Sequence, residues 1–155
     1  MTLAFTSRIP LVEQRIGAAA IYCSDGRIGQ QMDDFLHNAL NLPRYDRLVV
    51  PGGPGCLAGH FVAYREEQAL VEHLRFLCRV HEIERVVLIA HQHCAFYIDR
   101  LELTRATMLK QQVTDLSNAA RRIAEVDSKL QVDGYLALLE DGRVRFQPVA
   151  VGEGR

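Results

Sequence analysis

Apolar and polar positions along this chain switch repeatedly between a strand-like and a helical arrangement. Gly17-Ala18-Ala19-Ala20-Ile21 is small and apolar without a polar break, the pattern of a strand covered on both faces, and predicts a strand ending at Cys23. Beyond it Ile28, Met32, Phe35, Leu36, Ala39 and Leu40 recur at helical spacing, which predicts a helix from about Ile28 to Asn41, stopped before Pro43. Asp46 to Val50 reads as a second strand, followed by the turn-rich loop Pro51-Gly52-Gly53-Pro54-Gly55. A second helix is expected over Tyr64 to His81, with Ala69, Leu70, Leu74, Leu77 and Cys78 as its apolar stripe. Arg85 to Ala90 predicts a third strand. A third helix, Arg105 to Val126, presents Leu109, Val113, Leu116, Ala120 and Ile123 at three- and four-residue steps. Leu130 to Val151 alternates and turns at Asp141-Gly142, a hairpin signal. Met1 to Arg15 is short on pattern, as expected of an arm or a short helix packing on a partner.

Strands alternating with helices imply an α/β fold: a central, mostly parallel sheet flanked by helices, with an antiparallel strand added by the tail. At 155 residues and 48% hydrophobic, the chain (1–155) reads as one domain with enough apolar content for a full core. Composition narrows the partners. A net charge of −1 and a pI of about 6.6 give no basic field, so nucleic acid is not expected. No run is long or apolar enough to span a membrane, and Met1 to Arg15 lacks the apolar core and cleavage site of a signal peptide. The expected location is the cytoplasm. There, the four cysteines are core residues, metal ligands or catalytic groups rather than a disulfide scaffold.

Two stretches carry the chemistry. Tyr22-Cys23-Ser24-Asp25-Gly26-Arg27 lies where the first strand ends and a helix begins, and His91-Gln92-His93-Cys94 lies at the end of the third strand. Ligands bind at such strand ends in open α/β sheets. Each residue alone has an ordinary reading: Cys23 as a small buried hydrophobe, Asp25 as a helix cap, Arg27 as an exposed first-turn residue. Together, C-x-D-x-R and H-x-x-C offer two thiolates and one imidazole. If the strand ends are neighbours, Cys23, His91 and Cys94 form a three-ligand zinc site with a fourth position open for water.

These motifs resemble the signatures of the β-class carbonic anhydrases, C-x-D-x-R and H-x-x-C at the ends of parallel strands. The resemblance extends weakly along the chain, through Leu48 to Gly53 and the closing segments Val132 to Tyr135 and Glu140 to Val144. It implies Zn²⁺ on Cys23, His91 and Cys94, with Asp25 and Arg27 as the catalytic carboxylate and guanidinium beside it. The implied activity is that of a zinc lyase, the reversible hydration of CO₂ to bicarbonate by zinc-bound hydroxide. A homodimer or higher homo-oligomer is also implied. In the resembling family the aspartate can swing onto the metal and switch the enzyme off. The chain departs from the pattern in three places: Ala95, then Phe96 and Tyr97, where the family has a glycine; the Pro-Gly-Gly-Pro-Gly loop; and a short N-terminal arm. These bear on substrate access more than on the metal.

Three other functions compete. The same site suits hydrolysis of carbonyl sulfide or carbon disulfide, and with a closed pocket it suits a non-catalytic, zinc-stabilised binding or assembly module. Cys94 and Arg100 also fit the H-C-x₅-R pattern of cysteine phosphatases, but Ala-Phe-Tyr-Ile-Asp between them supplies no glycine to wrap a phosphate. Among the remaining residues, Cys56 is a possible fourth ligand that would close the site, and Cys78 belongs to the core. His60 is a candidate proton relay. His37, His73 and His81 are expected in solvent, with His93 directed away from His91.

Overall fold

A computed structural model describes residues 1–152. Its centre is β1 (Ala18–Cys23), buried along its whole length. Residues as small as Ala18, Ala19 and Ala20 suit that place, because helices pack on both faces of this strand. β1 lies between β2 (Asp46–Val50) and β3 (Arg85–His91), parallel to both. The tail supplies β4 (Gln131–Glu140), parallel to β3, and β5 (Arg143–Val149), which returns antiparallel through Asp141-Gly142. The sheet order is β2-β1-β3-β4-β5, a mostly parallel α/β sheet with one antiparallel strand at its edge, as the sequence predicts.

The strand periodicity divides the core. Ala19, Ile21, Val86 and Leu88 face the layer of α2 (Tyr64–Val80) and α4 (Arg105–Val126). Ala18, Ala20, Val87 and Ile89 face α1 (Gly29–Asp34). α1 is shorter than its periodicity predicts and continues as a π turn over Phe35–Ala39. Pro43 forces the residue before it out of helical geometry. The last turn closes on wider bonds instead, Leu40 N–H to the Phe35 carbonyl at 3.1 Å and Leu42 N–H to the Leu36 carbonyl at 2.8 Å.

Three local expectations are corrected. The five-residue helix α3 (Ala95–Asp99) follows Cys94 where no helix is predicted, being too short to show a period. On α2, Val71 is buried and Ala69 exposed. On α4, Val113 is 39% exposed, and the buried face carries Met108, Gln112, Asp115, Leu116, Ala119 and Ile123. Leu116, Ala120 and Ile123 are buried as expected, whereas Gln112 and Asp115 stand on the buried face in place of Leu109 and Val113, each tied down by a hydrogen bond. No helix among the described residues is long and apolar enough to cross a membrane.

Candidate metal centre

Strand register brings the two motifs together. Tyr22 pairs with Ile89, so Cys23 and His91 emerge side by side at the carboxyl edge of β1 and β3. The chain then turns through His93, at φ +59°, and presents Cys94 at the start of α3. The three ligand atoms, one from each of Cys23, His91 and Cys94, lie within 4.8 Å of one another, and all three residues are buried. The two sulfurs are 3.9 Å apart and unbridged. Two thiolates on one tetrahedral zinc, each about 2.3 Å from it, sit about 3.8 Å apart.

The imidazole is oriented for the same point. A backbone carbonyl can only accept, so the 2.8 Å contact between His91 Nδ1 and the Gln92 carbonyl requires the proton on Nδ1. The lone pair is then on Nε2, which is buried and finds no hydrogen-bond partner among the described residues. Such an orphan costs about 1–3 kcal/mol unless something occupies it. The Cys94 thiol donates to the Cys23 sulfur, and the Gly52 N–H reaches that sulfur at 3.4 Å. Chiefly through the Cys94 hydrogen bond, and despite burial, the Cys23 thiol titrates well below its usual range. The same bond, then burial, pushes Cys94 up. Two sulfurs at this spacing, one already favouring thiolate, and a free imidazole nitrogen fit a divalent thiophilic ion.

Asp25 stands two residues beyond Cys23, its side chain 17% exposed. Its Oδ1 accepts the Arg27 backbone N–H at 3.0 Å and the Arg27 Nε–H at 3.0 Å. Its Oδ2 accepts Nη2–H at 2.6 Å. The Arg27 guanidinium holds the carboxyl down to about 2. Asp25 makes no side-chain cap for α1, whose flanking residue is Ile28. Arg27 itself is 74% exposed, so Asp25 anchors it rather than packing.

Other sequence candidates fall outside the cluster. Cys56 is buried, donates to the Pro51 carbonyl at 3.2 Å, and is pushed up to about 12 by burial. It is not among the grouped ligands. Arg100 is engaged with Glu66 at 2.8 Å and with the Val62 carbonyl, so it is not aimed at a phosphate over Cys94. Cys78 packs half-buried against the core. His73 is exposed, His37 half-buried, and His81 is tied to Asp46 at 2.7 Å instead of standing free in solvent. His60 contacts Asp115 at 2.8 Å, and that carboxylate holds its imidazole pKa above the usual value.

The supports of this centre carry no motif in the sequence. The glycine loop is no open turn: it forms a buried 3₁₀ turn, Gly53–Leu57. It packs on the aromatic pair after Cys94. A Cβ on Gly52 (φ +89°) would meet the Phe96 ring at 2.5 Å, and one on Gly55 would meet Tyr97 Oη at 2.5 Å. Glycines and bulky aromatics are complementary here, a signal legible only once the two segments are known to touch. Gln112, wholly buried on α4, donates to the His91 carbonyl at 2.7 Å, and no motif marks it.

Comparison with known proteins bears on the family and the fold. A model of the family described as "Putative carbonic anhydrase" matches residues 13–146. Among solved structures, the β-carbonic anhydrase isoform I of the protozoan Trichomonas vaginalis is similar, with 15% identity and a TM-score of 0.55. That match covers 94% of this chain and 87% of that one. The carbonic anhydrase from Glaciozyma antarctica is similar at 13% identity and a TM-score of 0.55, covering 90% of this chain and 85% of that one. No curated protein matches the sequence. Identities this low speak for the fold alone, whereas the family match spans most of the chain; the protein therefore belongs to this carbonic anhydrase family and has the β-class fold.

Proposed function

We propose that this chain, acting as one domain, is a zinc lyase that interconverts CO₂ and bicarbonate. The observation that carries the reading is the convergence of Cys23, His91 and Cys94 around an orphaned, buried imidazole nitrogen. Cys23 and Cys94 supply two thiolates that balance a dication, and His91 contributes Nε2, held in that tautomer by the Gln92 carbonyl. Zinc bound there supplies Lewis acidity that brings the pKa of a water toward neutrality. Asp25 accepts a hydrogen bond from the attacking water oxygen and so aims a lone pair at the carbon of CO₂. It does this as an anion, because Arg27 keeps it ionised. Arg27 also restrains the carboxylate by gripping both oxygens. Free thiols at the centre suit a reducing compartment such as the cytoplasm.

Stopped-flow CO₂ hydration by the zinc-loaded protein tests the reading. The wild type is expected to exceed the buffer rate, Asp25→Ala to fall by roughly 10²-fold or more, and Cys94→Ser to be inactive. A wild type that holds zinc yet hydrates CO₂ no faster than buffer overturns it. Turnover of carbonyl sulfide by that same protein would then reassign the substrate.

A further inference from the structure

α4 places a carboxylate in the core that no step above uses. Asp115 is 1% exposed, yet three groups converge on it. Tyr97 Oη–H donates to Oδ2 at 2.6 Å, His60 Nε2–H to Oδ2 at 2.8 Å, and Gln111 Nε2–H to Oδ1 at 2.8 Å. Two of these come from segments far away in sequence, one beyond the glycine loop and one in α3. We propose that Asp115 is a positioning residue for the metal centre, holding the glycine loop and the Cys94 helix together behind Cys23 and Cys94. The proposal rests on the zinc reading above.

The connection can be followed atom by atom. Tyr97 stands three residues past Cys94, and its N–H bonds the Cys94 carbonyl at 3.2 Å. Its hydroxyl is pinned by Asp115 against Gly55, where no side chain fits. Gly52, at the other end of that loop, sends its N–H to the Cys23 sulfur at 3.4 Å. Tyr97 therefore touches the surroundings of both sulfurs. A buried carboxylate is costly unless fully bonded, and an apolar residue of similar size would fill the space without tying the segments together. The chemistry is also specific: three donors need an acceptor-only partner, and an amide would turn an NH₂ toward one of them.

Partners outside the ligand set typically change metal affinity 10–100-fold when removed. Zinc affinity by chelator competition and the thiolate-to-cobalt charge-transfer spectrum of Co²⁺-substituted protein test the role. Asp115→Asn and Tyr97→Phe are compared with Leu40→Ala, which trims the hydrophobic cluster on the opposite face of the sheet. Asp115→Asn, which acts one step further out through Tyr97 and the glycine loop, is expected to weaken zinc by about 10-fold, the lower end of that range, and to shift the cobalt bands. Tyr97→Phe should move both readouts the same way by less, and Leu40→Ala should lower the melting temperature while leaving both in place. If Asp115→Asn does not fold, Tyr97→Phe carries the test, and unchanged affinity and spectrum in it overturn the proposal. Equal weakening by Leu40→Ala at a matched melting temperature also overturns it, because general loosening would then suffice. A wild type that binds no zinc removes the zinc reading and this role together, whereas a zinc-binding wild type with indifferent variants removes only this role.

Discussion

At the scale of single residues, the contact between Asp25 and Arg27 is where the proposed catalytic role can be separated from the proposed metal binding. Arg27 grips the carboxylate through three side-chain contacts, and their loss frees an anion beside a dication site. Arg27→Ala is therefore expected to retain zinc and lose CO₂ hydration, because Asp25 can then take the position needed by water. A crystal structure of that variant checks this; an unmoved Asp25 with surviving activity contradicts it. The clustering of Cys23, His91 and Cys94 was legible in the sequence because two cysteines and a histidine at these spacings, after apolar runs, have few other uses. Their partners were not. The Gln92 carbonyl and the Gly52 N–H are backbone groups, and every residue has them. Asp25 also has a helix-cap reading from sequence alone, and only the contacts with Arg27 set that aside.

At the scale of elements, α4 shows where periodicity runs out. Counting apolar residues favours Leu109 and Val113, yet packing favours a face with Gln112 and Asp115 in its middle. Hydrophobic pattern scores a buried polar residue as an error, although its hydrogen bonds make it as much a part of the core as Leu116. Chemical denaturation separates two members of the predicted stripe, one exposed and one buried. Val113→Lys is expected to change stability by no more than about 0.5 kcal/mol. Leu116→Ala, at a wholly buried position, should cost about 2–5 kcal/mol. Equal losses would return Val113 to the buried face. The His60–Asp115 pair joins α4 to the glycine loop and adds a pH signature. The folded pKa of His60 lies above its ordinary 6.5, chiefly through the hydrogen bond to Asp115. Its contribution is thus fully present below about pH 6.5 and fades as pH rises through the folded value. The melting-temperature advantage of wild type over His60→Gln should be larger at pH 6 than at pH 9. A constant or growing advantage contradicts it.

At the scale of the whole molecule, the mostly parallel sheet and the closing hairpin followed from alternation and from Asp141-Gly142, whereas the strand order β2-β1-β3-β4-β5 came only with the structure. So did the packing of the glycine loop on α3 and α4, being a long-range match between small and large residues. The N-terminal arm remains to be accounted for. Leu3, Phe5, Ile9 and Leu11 are almost wholly exposed and lie outside any helix or strand. So much apolar surface on one short segment is characteristic of an interaction site. The protein is expected to be a homodimer or higher by light scattering at micromolar concentration, and Phe5→Asp with Leu11→Asp should shift it toward monomer. A monomeric wild type contradicts that. Fold, site and proposed chemistry meet at the metal. X-ray absorption at the zinc edge, on purified protein with its metal content counted, tests the zinc reading most directly. About one zinc per chain is expected, with two sulfur neighbours near 2.3 Å and a nitrogen near 2.0 Å. Protein without zinc, or zinc with no sulfur in its coordination shell, would contradict it.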